Sequence, residues 1–123
     1  MNKTLWIKIT AICGATAVVL GAFAAHGLAS RLSEEMLQIF QTAVRYHFFH
    51  ALALLGVVNL SLHQRTQQWA ACSFLVGILL FSGSLYLLVL TDIRSLGMVT
   101  PIGGVAFIIG WILLFFSART TSA

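Results

Sequence analysis

The sequence predicts an all-α integral membrane protein, a bundle of four transmembrane helices with an amphipathic interfacial segment before the second span. Of its 123 residues, 59% are hydrophobic and only 8% are charged, a balance outside the usual range of soluble domains. Since a helix needs about 20 apolar residues to cross the hydrocarbon core, four spans would occupy roughly 84 positions. What is left is too short for a soluble domain, so we expect one membrane domain over residues 1–123.

The charged residues and cysteines exclude several kinds of partner. The net charge is +4, but the seven basic residues are scattered among apolar segments and form no stripe that could follow a phosphate backbone. We therefore expect no nucleic acid partner. Cys13 and Cys72 lie inside apolar runs without metal-binding or disulfide spacing, and we interpret them as small buried residues.

The first span is predicted at about residues 5–26. Its short basic start and its A-x-A pattern at residues 22–24 also fit a signal peptide. The apolar run from Leu5 to Ala25 is longer than the apolar region of a typical signal peptide, and this favours a membrane span.

The amphipathic segment is predicted at about residues 28–42, joined to a second span at about residues 43–62. Ser33 is suited to cap a helix, and Glu34 and Glu35 would then lie in its first turn, where negative charge favours the helix dipole. Apolar residues recur at every fourth position, as on one face of an interfacial helix. They are Leu28, Leu32, Met36, Phe40 and Val44.

The third span is predicted at about residues 69–91, after a polar loop at 63–68, and the fourth at about 100–117. Thr100 would cap the fourth helix, and Pro101 would occupy its first position, where proline loses no hydrogen bond. Three tryptophans near predicted span ends are interpreted as interfacial aromatic residues. They are Trp6, Trp69 and Trp111.

The distribution of basic residues predicts that both termini are cytoplasmic. Four of them fall on the side of the termini and three on the opposite side, and the positive side of a membrane protein is usually the cytoplasmic one. The first set is Lys3, Lys8, Arg65 and Arg119, and the second is Arg31, Arg45 and Arg94.

Small residues form stripes on three of the predicted spans. Helices in a bilayer associate through close packing at such positions, so these residues are candidates for helix contacts. The stripes serve either packing within the chain or, in the alternative interpretation, a homo-oligomer or a larger membrane complex. They include Gly14, Ala17 and Gly21 in the first span, Gly77 in the third, and Gly103 and Gly110 in the fourth.

The second span contains polar residues that are costly at membrane depth. Helical spacing places His47 and His50 on the same face as the apolar stripe, so we expect them to point inward. Arg45 continues the polar face, and we expect it near lipid headgroups. The inward face is predicted to comprise Met36, Phe40, Ala43, His47, His50 and Leu54.

Counting residues from the predicted span ends places the polar groups in one leaflet. His50 and Ser84 each lie seven residues from the same surface, at about 10 Å of depth, and Tyr86 lies near Ser84. His26 is expected at that surface. The opposite leaflet is almost purely apolar, which argues against a pump or channel because a transport pathway needs polar groups across the whole bilayer.

The histidines allow two interpretations. His26, His47 and His50 could hold a metal or haem, or line a pocket for a quinone or lipid headgroup together with Ser84 and Tyr86. Alternatively, they hydrogen-bond within the bundle and keep the helices in register. No catalytic motif is present, so we expect no enzyme; the cofactor is left open, and a structural or accessory role is the leading hypothesis.

Several segments resemble a known family. The chain is similar to the domain-of-unknown-function 423 family, which includes small bacterial inner-membrane proteins and human transmembrane protein 256. The resemblance implies four transmembrane helices and a place in the bacterial inner membrane, and it implies no activity. The segments that carry it are GAFAAHGL at 21–28, RYHFFHALALLGV at 45–57, LFSGSLYLL at 80–88, TPIGG at 100–104 and FIIGW at 107–111.

Overall fold

The computed structural model describes residues 1–118, and every regular element in that part of the chain is helical. A short 3-10 turn, Arg94–Met98, joins the third helix to the fourth. Arg119, which contributes to the predicted orientation, lies outside the described residues. The helices are α1 (Lys3–Ala25), α2 (Glu34–Asn59), α3 (Gln64–Thr91) and α4 (Thr100–Ser117).

Three helical segments are long and apolar enough to cross a membrane. They are α1, α3 and α4 together with its leading 3-10 turn. The remaining helix, α2, is 26 residues long but less apolar than the other three, because Arg45, His47 and His50 lie within it. The chain is thus all-helical, with an apolar character that matches a membrane protein.

The start of α2 is set by Ser33. Its hydroxyl oxygen accepts a hydrogen bond from the backbone N–H of Met36 at 3.2 Å, which confirms the predicted N-cap. Residues 26–32 form turns and bends, so the amphipathic helix predicted over 28–42 begins later, at Glu34. Residues 34–42 continue without a break into the rest of α2, as predicted, because the cap at Ser33 starts a helix that runs to Asn59.

The predicted polar loop at 63–68 is mostly helical. α3 already begins at Gln64, and the side-chain N–H of Gln67 donates to the carbonyl oxygens of Val57 at 2.6 Å and Leu60 at 3.2 Å. The last carbonyls of a helix lack partners within it, so this side chain satisfies the end of α2. These polar residues therefore tie two helices together.

The interior lies along one face of α2, which packs against α1 on one side and α3 on the other, while α4 packs against α3. The predicted inward face is confirmed, since its six residues are each at most 8% exposed. Trp6, interpreted as an interfacial residue, is 6% exposed and belongs to the same buried cluster as Leu54 and Phe74.

Glycines allow α3 and α4 to approach closely. A Cβ at Gly103 would overlap the backbone of Phe81 and lie 2.7 Å from the carbonyl carbon of Leu80. A Cβ at Gly110 would lie 2.6 Å from the Phe74 ring, and one at Gly77 would overlap the Phe107 ring. These glycines serve contacts within the chain.

The small residues of α1 differ in how closely they are packed. Ala17 is 1% exposed, and a Cβ at Gly21 would lie 3.3 Å from Cγ1 of Val44 on α2. A Cβ at Gly14 would meet no atom of a neighbouring helix within 4 Å among residues 1–118, so no close helix approach depends on this glycine in the described fold.

Candidate functional site

The polar groups of the interior are positioned by the antiparallel register of α2 and α3. At the start of α2, the guanidinium of Arg94, in the 3-10 turn that follows α3, donates to the Glu35 carboxylate at 2.9 Å. Further in, Ser82 Oγ donates to the Ala43 carbonyl at 2.7 Å. Ser82 ends a π-helical segment, Ile78–Ser82, and the wider turn of such a segment displaces side chains from regular α-helical positions.

His47 connects three helices. Its Nδ1 atom lies 2.9 Å from the Tyr86 hydroxyl on α3, and its Nε2 atom lies 3.2 Å from Thr16 Oγ1 on α1. Thr16 Oγ1 in turn lies 2.8 Å from the carbonyl oxygen of Ile12. It also lies 3.0 Å from the carbonyl oxygen of Cys13. A carbonyl can only accept, so when the Thr16 hydroxyl donates to either carbonyl, Thr16 accepts from His47.

This pattern favours one tautomer of a neutral His47. In it, Nε2 carries the proton and donates to Thr16, and the Nδ1 lone pair accepts the proton of the Tyr86 hydroxyl. The result is a directed chain of hydrogen bonds from Tyr86 through His47 to Thr16. Both ring nitrogens of His47 have a partner in this arrangement.

His50 is held by a second set of partners and has the opposite tautomer. Its Nδ1 lies 2.8 Å from the Tyr46 carbonyl, which can only accept, and the indole N–H of Trp111 donates to its Nε2 at 3.1 Å. The proton is therefore on Nδ1. The ring also stacks on Phe107, with centroids 3.6 Å apart, so His50 joins α2 to α4.

Ser84 lies outside both histidine sets. Its hydroxyl is 2.7 Å from Thr100 Oγ1, and this contact links α3 to α4. Thr100 was predicted to cap α4, but Val99 occupies the cap position and the Thr100 hydroxyl is used by Ser84 instead. An interhelical partner thus replaces the local backbone as the partner of this hydroxyl.

The predicted common depth of His50 and Ser84 is not found. The Ser82 to Ala43 contact puts this part of α3 level with Ala43, whereas His50 lies seven residues further along α2, about 10 Å away. At the level of His50, α3 contributes Phe74, whose ring centroid is 5.5 Å away. The polar contacts therefore extend along α2 from Glu35 to His50.

The three candidate histidines are not brought together. His26 is exposed at the end of α1, where it lines a separate depression with Phe23 and Gly27. Within residues 1–118, no group of three His, Cys, Asp or Glu side chains has the arrangement of a metal site. Of the residues predicted at the interface, Arg45 is exposed and Trp69 is 61% exposed.

A groove between α1 and α3 gives access to the His47 set. Its volume is about 410 Å³, and its walls are largely aliphatic. Thr16, His47 and Tyr86 are the polar residues among its lining, and they lie together where α2 closes the groove. The aliphatic lining includes Ile9, Ile12, Leu20, Leu75, Ile78 and Leu79.

Two members of these sets were not predicted from the sequence. Thr16 is an isolated hydroxyl in an apolar span, and Trp111 was interpreted as an interfacial residue. A signal for Trp111 was available: it follows Phe107 by four residues, and the two therefore share a helix face. No comparable signal marks Thr16, because its role depends on which face of α1 meets α2.

The helical fold and its hydrogen-bonded interior define a small helical membrane protein. More particularly, the chain belongs to the family described as a protein of unknown function, DUF423, which matches residues 20–104. The resemblance noted in the sequence is thereby confirmed.

Relatives in several bacteria cover almost the whole chain. The UPF0382 membrane protein of Staphylococcus aureus strain bovine RF122 is 46% identical over 115 residues, 92% of this chain and 93% of that protein. The UPF0382 membrane protein YwdK of Bacillus subtilis is 44% identical over 117 residues, 93% and 95% of the two chains. A UPF0382 membrane protein of Haemophilus influenzae is 40% identical over 117 residues, 94% of each chain. No solved structure matches.

Proposed function

We propose that all four helices span the bacterial inner membrane and that both termini are cytoplasmic. α2 is 26 residues long, about 39 Å, which exceeds the roughly 30 Å of a hydrocarbon core. Its start lies beside Arg94, at the junction of α3 and α4, and its end is held by Gln67 at the start of α3. The inward position of His47 and His50 supports the crossing, because their polar atoms have partners inside the protein.

Labelling of single cysteines tests this topology in a background with Cys13→Ala and Cys72→Ala. We expect a membrane-impermeant maleimide to label Ser30→Cys and Ser95→Cys in intact cells. Asn2→Cys and His63→Cys should be labelled only after the membrane is permeabilised. Labelling of Ser30→Cys and His63→Cys from the same side would show that α2 does not cross the membrane.

We propose that the protein binds a neutral lipid alcohol, an apolar molecule with a hydroxyl group, in the groove between α1 and α3. The observation that supports this most directly is the polar set at the floor of an otherwise aliphatic groove. A ligand from the bilayer could place its chain along the aliphatic walls and its polar group beside Tyr86 and Thr16. We propose binding alone, with no catalytic step.

The hydrogen-bond directions favour a ligand that donates. The Tyr86 hydroxyl and the His47 Nε2 proton are both already used within the chain. The oxygens of Tyr86 and Thr16 each retain a lone pair for a donor that enters the groove, whose surface is otherwise almost entirely apolar. A hydroxyl supplies the missing donor, whereas a ligand with acceptors only would leave its polar atoms unpaired in an apolar environment.

The other interpretations of the histidines have less support. Binding of a metal or haem iron to His47 or His50 would break a hydrogen bond at the ligating nitrogen.

A purely structural or accessory role in a homo-oligomer or larger complex was inferred from the small-residue stripes. Gly21, Gly77, Gly103 and Gly110 all meet residues of the same chain, so these positions are already used.

Photolabelling with a long-chain alcohol that carries a diazirine tests the binding. We expect labelled peptides from α1 and α3, and about two- to tenfold weaker labelling by the corresponding methyl ether, which lacks the donor. Gly83 lines the groove, and a Cβ there makes only an ordinary contact with Ile78 at 3.9 Å, so Gly83→Leu should fill the groove and prevent labelling.

The matched control is Gly14→Leu, which adds the same side chain on α1, where no atom of a neighbouring helix among residues 1–118 lies within 4 Å of the new Cβ. It should leave labelling unchanged. Equal labelling by alcohol and ether in the wild-type protein would contradict the proposed ligand class. Equal labelling of wild type and Gly83→Leu would contradict the proposed site.

A further inference from the structure

Arg45, in the middle of α2, forms no ion pair within residues 1–118. It lies ten residues beyond Glu35, about 15 Å along α2, and its side chain is exposed. Both ion pairs within residues 1–118 belong to Arg94, and Arg45 takes part in neither. In a membrane-spanning α2, as proposed above, an exposed cation at such a depth is costly unless an anion or water compensates it, so the surroundings of Arg45 indicate what it binds.

Two adjoining depressions lie beside Arg45, between α1 and α2 and apart from the groove at His47. They share Gly21, Val44 and Arg45, and their volumes are about 220 Å³ and 290 Å³. The smaller one, nearer the start of α2, is also lined by Gln41. The larger one lies deeper and is lined by Phe48, Phe49, Ala17 and Val18.

The order of polarity along this surface matches a phospholipid. Donors from Arg45 and Gln41 lie toward the membrane surface, and an aromatic and aliphatic channel continues inward from them. Guanidinium groups bind phosphate oxygens through paired hydrogen bonds, and a long arginine side chain can extend toward the headgroup layer.

We propose that this surface is a binding site for an anionic phospholipid. The phosphate pairs with the Arg45 guanidinium and is contacted by the Gln41 amide, and one acyl chain lies against Phe48 and Phe49. A lipid fits better than a carboxylate of a partner helix, because the apolar channel is continuous with the charged pocket and is open to the bilayer. This site is independent of the groove proposed for a neutral ligand.

Native mass spectrometry of protein released from nanodiscs tests the site. With phosphatidylglycerol and phosphatidylcholine at equal amounts, we expect wild-type protein to retain phosphatidylglycerol preferentially. Arg45→Gln should lower that retention about tenfold, and Arg45→Lys should lower it less, since it keeps the charge but loses the paired geometry. Val18→Trp, which fills the apolar channel, should also lower it.

Arg31→Gln is the matched control, because it removes an exposed arginine from the loop before α2. It should retain phosphatidylglycerol as the wild type does, and excess inorganic phosphate should not displace the lipid. Equal retention of the two lipids by the wild type, or an equal loss in Arg31→Gln and Arg45→Gln, would overturn the proposal. The proposal would also fail if Arg45→Gln retained phosphatidylglycerol as the wild type does but lost a protein partner that cross-linking detects on the wild type.

Discussion

Replacement of Gly103 by alanine is expected to cause the largest loss of stability of any single methyl addition in the chain. The new Cβ would overlap the backbone of Phe81 and approach that of Leu80, and a backbone cannot rotate away as a side chain can. α3 and α4 would have to separate, at a cost of about 1–3 kcal/mol or more. Thermal unfolding in detergent, followed by circular dichroism, would measure this as a lowered midpoint.

Gly104→Ala provides the control for this substitution. It makes the same chemical change one residue away, where the new Cβ would lie 3.8 Å from the Phe81 ring in ordinary contact. Its unfolding midpoint should stay near that of the wild type. If both variants unfolded at the same temperature, the close approach of α3 and α4 at Gly103 would be refuted.

The second large effect is expected at the hydrogen bond between His50 and Trp111. Trp111→Phe removes the donor and leaves Nε2 of His50 unpaired inside the bundle, at a cost of about 1–3 kcal/mol. His50→Leu removes the acceptor and the stacking on Phe107 as well. In the double variant the two losses should be less than additive, since both remove the same bond.

Equilibrium unfolding of the two single variants and the double variant measures this coupling, for which about 1 kcal/mol is typical between membrane helices. Trp69→Phe serves as the control, because Trp69 is 61% exposed. It should cost much less than Trp111→Phe. Additive losses in the cycle would mean that the bond makes no net contribution.

Much of the fold was predictable because the relevant signals are local. The cap at Ser33 depends on the residues that follow it, and the buried face of α2 follows from helical periodicity alone. The same periodicity placed Arg45 outside and the two histidines inside. These predictions required no knowledge of the neighbouring helices.

The predictions that failed depended on partners. The relative depth of His50 and Ser84 was counted from the predicted span ends at residues 43 and 91, whereas contacts between the helices put Ser82 level with Ala43. The register of two helices is set by such contacts and not by the apolar character of either one. The partner of the Thr100 hydroxyl was likewise decided by contact with α3, which the local sequence does not encode.

In the candidate site, too, local signals were predictable and contacts between helices were not. The sequence identified His47 and Tyr86 as candidates, but it grouped them with His26, which lies outside the bundle interior. The tautomers, and with them the class of ligand, depend on Thr16 and Trp111 from two other helices. Only the packed structure shows which nitrogen faces which partner.

Nitrogen NMR of protein containing ¹⁵N-labelled histidine tests the central claim most directly. In nanodiscs at neutral pH, we predict two neutral interior histidines of opposite tautomer, with His47 protonated on Nε2 and His50 on Nδ1; their signals can be assigned with His47→Gln and His50→Gln. A cationic ring, a metal-shifted nitrogen or one tautomer for both residues would contradict this account. Protonation of His47 on Nδ1 in particular would free the Tyr86 hydroxyl to donate and reverse the predicted ligand class.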